Sequence, residues 1–182
     1  VNIRLFNPPT YHYDGIRYRM NPPLGLSIMA AVLEEAGHEV EVYDLEALGV
    51  KPKALARLIS EREGIDAVGF TCLTHAVRGV RECVQTLRES GYKGYISVGG
   101  PHVTIDRDRA QEALTWGADG VVMGECEGNV ADIFAGQMTG VIKGGPMPIE
   151  DLPNPLWQKH SPRLATYYGN QPRVGHPEGM DM

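Results

Sequence analysis

Three short stretches of the 182-residue chain carry side chains of the kind that touch ligands. They are TCLTH at 71–75, GGPHVT at 99–104 and GECEGN at 124–129. Thr71 and Thr74 offer hydroxyls that both donate and accept hydrogen bonds. Gly99 and Gly100 have no Cβ, so the chain there either turns tightly or lets a flat group lie against bare backbone. The run Gly99, Gly100, Pro101 is equally the chemistry of a plain strand-to-helix turn, with His102 and Thr104 as helix-entry residues. Glu125 and Glu127 either rim a site or simply charge the first turn of the helix that follows.

The remaining candidates read more plainly. His12 stands among tyrosines and is expected to pack or face solvent, and His38 beside Gly37 suits a helix end as a cation. His160 and His176 lie near the end of the chain, where solvent is the expectation. Cys72 is either a small buried hydrophobe or a pocket wall, Cys83 falls in a helical pattern, and Cys126 looks the most exposed of the three. Three widely spaced cysteines without C-x-x-C suggest neither a disulfide framework nor a zinc site.

Segments rich in β-branched residues alternate with segments of helical period, the pattern of a parallel sheet covered on both faces. Strands are expected at 2–6, 39–44, 66–70, 95–98 and 119–123. Helices are expected at 25–36, 51–63, 75–90, 106–116 and 128–137. Five such units predict a Rossmann-like or flavodoxin-like doubly wound sheet of order 2-1-3-4-5, with any ligand beyond the carboxyl ends of the strands beside the switch between strands one and three. That placement draws attention to the loops after Phe6, Phe70, Val98 and Met123. From 141 onward Gly and Pro crowd the sequence and no period persists, so 1–140 is expected to be the domain and 141–182 a linker or arm.

Several function classes lose support. The first loop has neither the G-x-G-x-x-G of a dinucleotide site nor a P-loop, and it lacks the compact phosphate loop of a flavodoxin and the acidic cluster of a phosphoacceptor domain. The 17 Lys and Arg stand against 23 Asp and Glu, a formal charge of −6, which weighs against nucleic acid or an anionic membrane as the main partner. The apolar run at 24–33 is too short to span a bilayer and no leader opens the chain, so a cytoplasmic location is expected.

The segments NPPLGLSIMAAVLEEAGHEVEVYDLE, DAVGFTCLT, VGGPHVT, VVMGECEGNV and IEDLPNPLW, in this order, resemble the cobalamin-binding domain that precedes the radical S-adenosylmethionine (SAM) domain in cobalamin-dependent radical SAM enzymes. The likeness covers nearly the whole chain. It implies that the dimethylbenzimidazole nucleotide tail of cobalamin threads beside the sheet, lined by Thr71, Leu73 and Thr74 with Cys72 as a further wall. It also implies that Gly99, Gly100 and Pro101 let the tail pass, that His102 and Thr104 lie near its ribose and phosphate, and that Gly124, Glu125 and Glu127 form the rim. The long first loop, with Tyr11, His12, Tyr13, Arg17, Tyr18 and Arg19, would face the lower side of the corrin ring, where His12 is either a packing or surface residue or a cobalt ligand from an unusual position.

One departure bears on cobalt. Cobalamin proteins that ligate the metal through histidine carry D-x-H-x-x-G; aligned on Gly25, this chain has Met20 and Pro22 in place of the aspartate and the histidine. The resemblance therefore implies cobalamin with its base off cobalt and no histidine replacing it, a state suited to methyl transfer. The C-x-x-x-C-x-x-C spacing of a radical SAM cluster is absent. The 4Fe-4S cluster and SAM are accordingly expected in a further domain of the same polypeptide, with this chain a module that is not catalytic alone. A stand-alone flavodoxin-like ligand-binding or sensor domain is the alternative.

Overall fold

In the computed structural model, residues 1–10, 21–60, 64–161 and Tyr167 are described. Tyr11, His12, Arg17 and Met20 lie outside them, and so does His176.

The strands are β1 (Asn2–Asn7), β2 (Glu39–Asp44), β3 (Ala67–Thr71), β4 (Tyr95–Gly99), β5 (Gly120–Met123), β6 (Gly140–Lys143) and β7 (His160–Ser161). Between them lie α1 (Leu24–Glu35), α2 (Leu45–Leu48), α3 (Pro52–Ser60), α4 (Val77–Glu89), α5 (Pro101–Thr104), α6 (Arg107–Thr115) and α7 (Val130–Gly136). The sheet order is β6-β5-β4-β3-β1-β2-β7 and every pairing is parallel. The sheet thus has seven strands rather than the expected five. Its full order differs from 2-1-3-4-5, which survives as the run of neighbours in its middle.

The two extra strands come from the segment whose pattern looked dissolved. β6 reads GVIK, four residues between Gly-rich turns, too short to show a period. β7 is only two residues long, joined to Val42 and Tyr43 on the β2 edge. The helix expected at 75–90 begins with a 3-10 turn at Thr74–Ala76, and α5 is a short helix opened by Pro101, not by Thr104.

Because both faces of a parallel sheet are covered, alternate residues of each strand enter two separate cores. Phe6, Val68, Phe70, Ile96, Val98 and Val121 pack on one face with Leu55 of α3, Val80, Val84 and Leu87 of α4 and Ala113 of α6. Ile3, Leu5, Ala67, Tyr95 and Val122 pack on the other with Ala30 and Leu33 of α1 and Val130, Ile133 and Phe134 of α7. Each fully buried Leu or Ile contributes about 1.5–3 kcal/mol relative to exposure. Among the described residues no helix is long and apolar enough to cross a membrane.

At the amino ends of the strands, Arg88 of α4 ties three segments together. Its guanidinium donates to the carbonyls of Gly117 (2.9 Å), Tyr92 and Gly94 (3.0 Å each) and pairs with Asp119, whose carboxylate also accepts from the Ile96 amide at 2.7 Å. These are charge-assisted bonds, which are stronger than neutral ones. They hold the β4 and β5 starts in place, leaving the carboxyl ends of the strands to carry loops.

At those carboxyl ends the two glycines after β4 differ. Gly100 has φ +104°, and a Cβ there would come within 2.8 Å of the Cys72 amide nitrogen. At Gly99 the nearest atoms to a Cβ would be those of Val122, at 3.8 and 3.9 Å, an ordinary contact. Gly100 is thus required by the turn, and Gly99 is not. Gly100→Ala is expected to destabilise the fold by about 1–3 kcal/mol, whereas Gly99→Ala should stay within about 0.5 kcal/mol of the parent. Thermal denaturation of the two variants checks this, and equal losses would refute the distinction.

Candidate functional site

The pleat carries the period of the site. Leu5 and Asn7 on β1, Gly69 and Thr71 on β3, Ser97 and Gly99 on β4, and Val122 followed by Gly124 at the end of β5 all point to the α1/α7 side. Register sets Leu5, Gly69 and Ser97 in one row and Thr71 and Gly99 in the next. Five of these floor residues are Gly, Ser or Thr. The helices above them consequently have no large side chains to rest on, and a cleft of about 690 Å³ opens between α1 and α7.

The walls are apolar. Leu26 and Met29 of α1 face Val130, Ile133 and Phe134 of α7 across the cleft. The inner end is closed over Gly69, where a Cβ would meet Leu5 Cδ2 at 2.8 Å and Phe134 Cζ at 3.0 Å. Toward the mouth come Leu73, Pro101, Thr104, Ile105, Glu125 and Glu127. Ile105 is 59 % exposed, an apolar side chain left at the rim. Of the described lining residues only the two glutamates are charged, so an anionic group deep in the cleft would rely on hydroxyls and backbone amides.

Thr104 braces the mouth. Its hydroxyl donates to the Gly100 carbonyl at 3.0 Å and accepts from the Gly124 amide at 2.9 Å, joining the loops after β4 and β5. The loop after β3 is held likewise: the Cys72 amide donates to Gly99 O at 2.7 Å, and the His102 amide to Cys72 O at 2.9 Å.

Of the residues singled out in the sequence, Gly25, Thr71, Leu73, Gly99, Gly100, Pro101, Thr104, Gly124, Glu125 and Glu127 meet at this cleft. Four others do not line it. Cys72 follows Thr71, so the pleat turns its side chain into the opposite core, where it is fully buried. His102 lies on the inner side of α5, buried, with Nδ1 3.4 Å from Thr74 Oγ1, and Thr74 is exposed on the 3-10 turn. Pro22 stands one residue too early, and Pro23 lines the cleft instead. Tyr11, Arg17 and Met20 fall outside the described residues.

Several lining residues were not anticipated: Asn7, Gly69, Ser97, Val122, Cys126 and the helix residues. The strand members were within reach, since stepping back two residues from Thr71, Gly99 and Gly124 gives Gly69, Ser97 and Val122. Leu26 and Met29 were seen only as a helix's core face. Cys126 is the most exposed of the three thiols, as expected, but at 9 % it is still a buried one. His160 corrects an expectation: it is a buried residue of the arm, seated on the β2 edge with its Nε2 2.5 Å from Ser27 Oγ of α1, and burial lowers its pKa.

All three thiols are buried and chemically quiet. Burial first, then a nearby glutamate, pushes Cys72, Cys83 and Cys126 up to about 12. Burial likewise pushes Tyr95 up to about 12, against the effect of a hydrogen bond from Ser97. Among the described residues there is no group of three or more His, Cys, Asp or Glu able to hold a metal ion.

A family model of the B12 binding domain matches residues 18–134 of the chain. The sequence comparison with curated proteins returned no match. Among solved structures, the radical S-adenosylmethionine methyltransferase TsrM from Kitasatospora setae is similar. Its structure with tryptophan substrate and a SAM analogue superposes with a TM-score of 0.61 at 21% identity, over 75% of this chain and 26% of that one. Its structure with cobalamin and an iron-sulfur cluster gives 0.57 at 21% identity, over 75% and 25%. The chain therefore spans about a quarter of the length of those structures, and at this identity the likeness concerns the fold.

The raised thiol and phenol pKa values give alkaline lability a sign. A neutral group whose folded pKa lies above its unfolded value contributes stability that is fully present below the unfolded value, 9.0 for cysteine, and lost as pH rises through the folded one, about 12. The melting temperature is therefore expected to fall between pH 9 and 12. At pH 8 the native thiolate is roughly a thousandfold scarcer than in the unfolded chain. Alkylation followed by mass spectrometry should show all three cysteines protected, and rapid modification of any one would refute this.

Proposed function

The chain belongs to the B12-binding domain family, and we propose that it is the cobalamin-holding module of a radical SAM enzyme, one that transfers methyl groups, with the nucleotide tail of the cofactor lying in the α1/α7 cleft. The observation that carries this reading is the floor of Gly69, Thr71, Ser97 and Gly99 beneath two apolar helices. The fit can be judged on the residues present. Gly99 leaves room that a side chain would fill, the helix walls suit a flat apolar base, and Thr71 and Ser97 bring hydroxyls beside a sugar or phosphate.

Bound cobalamin supplies a cobalt centre able to carry and hand on a methyl group. The chain's own contribution is to grip the tail and so keep the base away from the metal. Pro22 occupies the place of a cobalt-binding histidine, which supports a base-off state without a histidine ligand. The sheet with its helices is the binding unit. The segment beyond β6 is proposed as an arm toward a radical SAM domain of the same polypeptide, where the 4Fe-4S cluster and SAM belong. The likeness to TsrM supports that assignment and the methyltransferase reading.

The test is to mix the chain with excess hydroxocobalamin, remove free cofactor, and measure cobalt per protein with the visible spectrum. Retention with a base-off spectrum is expected. Gly99→Leu should weaken retention about tenfold or more by filling the cleft, with the melting temperature little changed. A chain that retains no cobalt, or a Gly99→Leu variant that binds as well as its parent, would refute the assignment of the cleft.

A further inference from the structure

Asn7 was not anticipated as a site residue, yet its orientation is set by a network that leads out of the cleft. It ends β1 on the cleft face and is in register with Asp44 at the end of β2. Asp44 is 1 % exposed. One oxygen of its carboxylate accepts from Asn7 Nδ2 at 2.9 Å and from the Ala47 amide at 3.0 Å, and the other accepts from the Tyr167 hydroxyl at 2.8 Å. Tyr167 is itself buried, and its pKa is raised by burial and by the Asp44 charge.

An ionised carboxylate only accepts hydrogen bonds, so it must face the NH2 group of the Asn7 amide. The carbonyl oxygen of that planar group is consequently on the other side. Among the described residues nothing donates to it. A fixed carbonyl at a cleft wall attracts N–H and O–H donors and repels carboxylates.

We infer that Asn7 is a binding residue that presents a fixed hydrogen-bond acceptor to one of the primary amides on the corrin periphery, with Asp44 and the arm residue Tyr167 as positioning residues. This rests on the cobalamin reading above. It also gives the arm a part in recognition, since Tyr167 aims a cleft residue it does not accompany in sequence.

The experiment compares hydroxocobalamin with derivatives in which one peripheral amide is hydrolysed to a carboxylate, measuring retention on the parent, Asn7→Leu and Tyr167→Phe chains. The parent should bind one derivative about tenfold or more weakly than hydroxocobalamin, because a donor is replaced by a repelled acceptor. Asn7→Leu should abolish that one penalty and leave the penalties of other derivatives, some of them due to Glu125 and Glu127, unchanged. Tyr167→Phe should reduce it. Melting temperatures identify any variant that has lost its fold, and Tyr167→Phe provides the reading if Asn7→Leu has. Retention of hydroxocobalamin with a selectivity pattern that neither variant alters overturns the role of Asn7 alone. Failure to retain hydroxocobalamin at all overturns the cobalamin reading, and this inference with it.

Discussion

A sheet covered by helices opens a cleft only where its strands lack the side chains that would fill the space beneath those helices. Here that condition is met on one face and at one end. Gly69 and Ser97 lie side by side, with Thr71 and Gly99 in the next row. One residue along each strand the pleat turns over, and Phe70 and Val98 are packed solid against the other core. The same three-residue stretches therefore support a dense core below and an open cleft above.

The rest of the molecule holds that difference in place. Arg88 fixes the amino ends of β4 and β5 from the back of the sheet. Gly100 lets the β4 loop pass over Cys72 at a distance no other residue allows, and Thr104 links it to Gly124. The segment after β6 reaches back across the sheet. Its Leu156 amide donates to the Ser27 carbonyl at 3.0 Å, and His160 meets the Ser27 hydroxyl, so α1 is clamped from outside the cleft it borders. A buried, neutral His160 suits this contact.

Much of this was legible in the sequence because period and turn chemistry are local. The β-branched runs marked five strands, and the loops after Phe70, Val98 and Met123 were where the cleft residues lie. β6 and β7 were not legible, being four and two residues long and defined by the edges they pair with. Cys72, left open between core and pocket wall, is sent to the opposite core by the strand alternation, and His102 is turned inward on the short helix α5, which loop membership alone does not reveal. Asn7 and the burial of His160 depend on partners 37 and 133 residues away, which no local pattern encodes. Family resemblance pointed to the loops, but the pleat decides which of their residues face the cleft.

On the proposed function, cobalamin enters between α1 and α7 over the small-residue floor. Backbone amide spectra of the isotopically labelled chain, recorded as hydroxocobalamin is added, test this most directly, since glycine amides are well resolved. Gly69, Thr71, Gly99 and Gly124 are expected to shift while Leu55, Cys83 and Leu87 in the opposite core stay in place. Shifts confined to that opposite face, or none at stoichiometric cofactor, would contradict it.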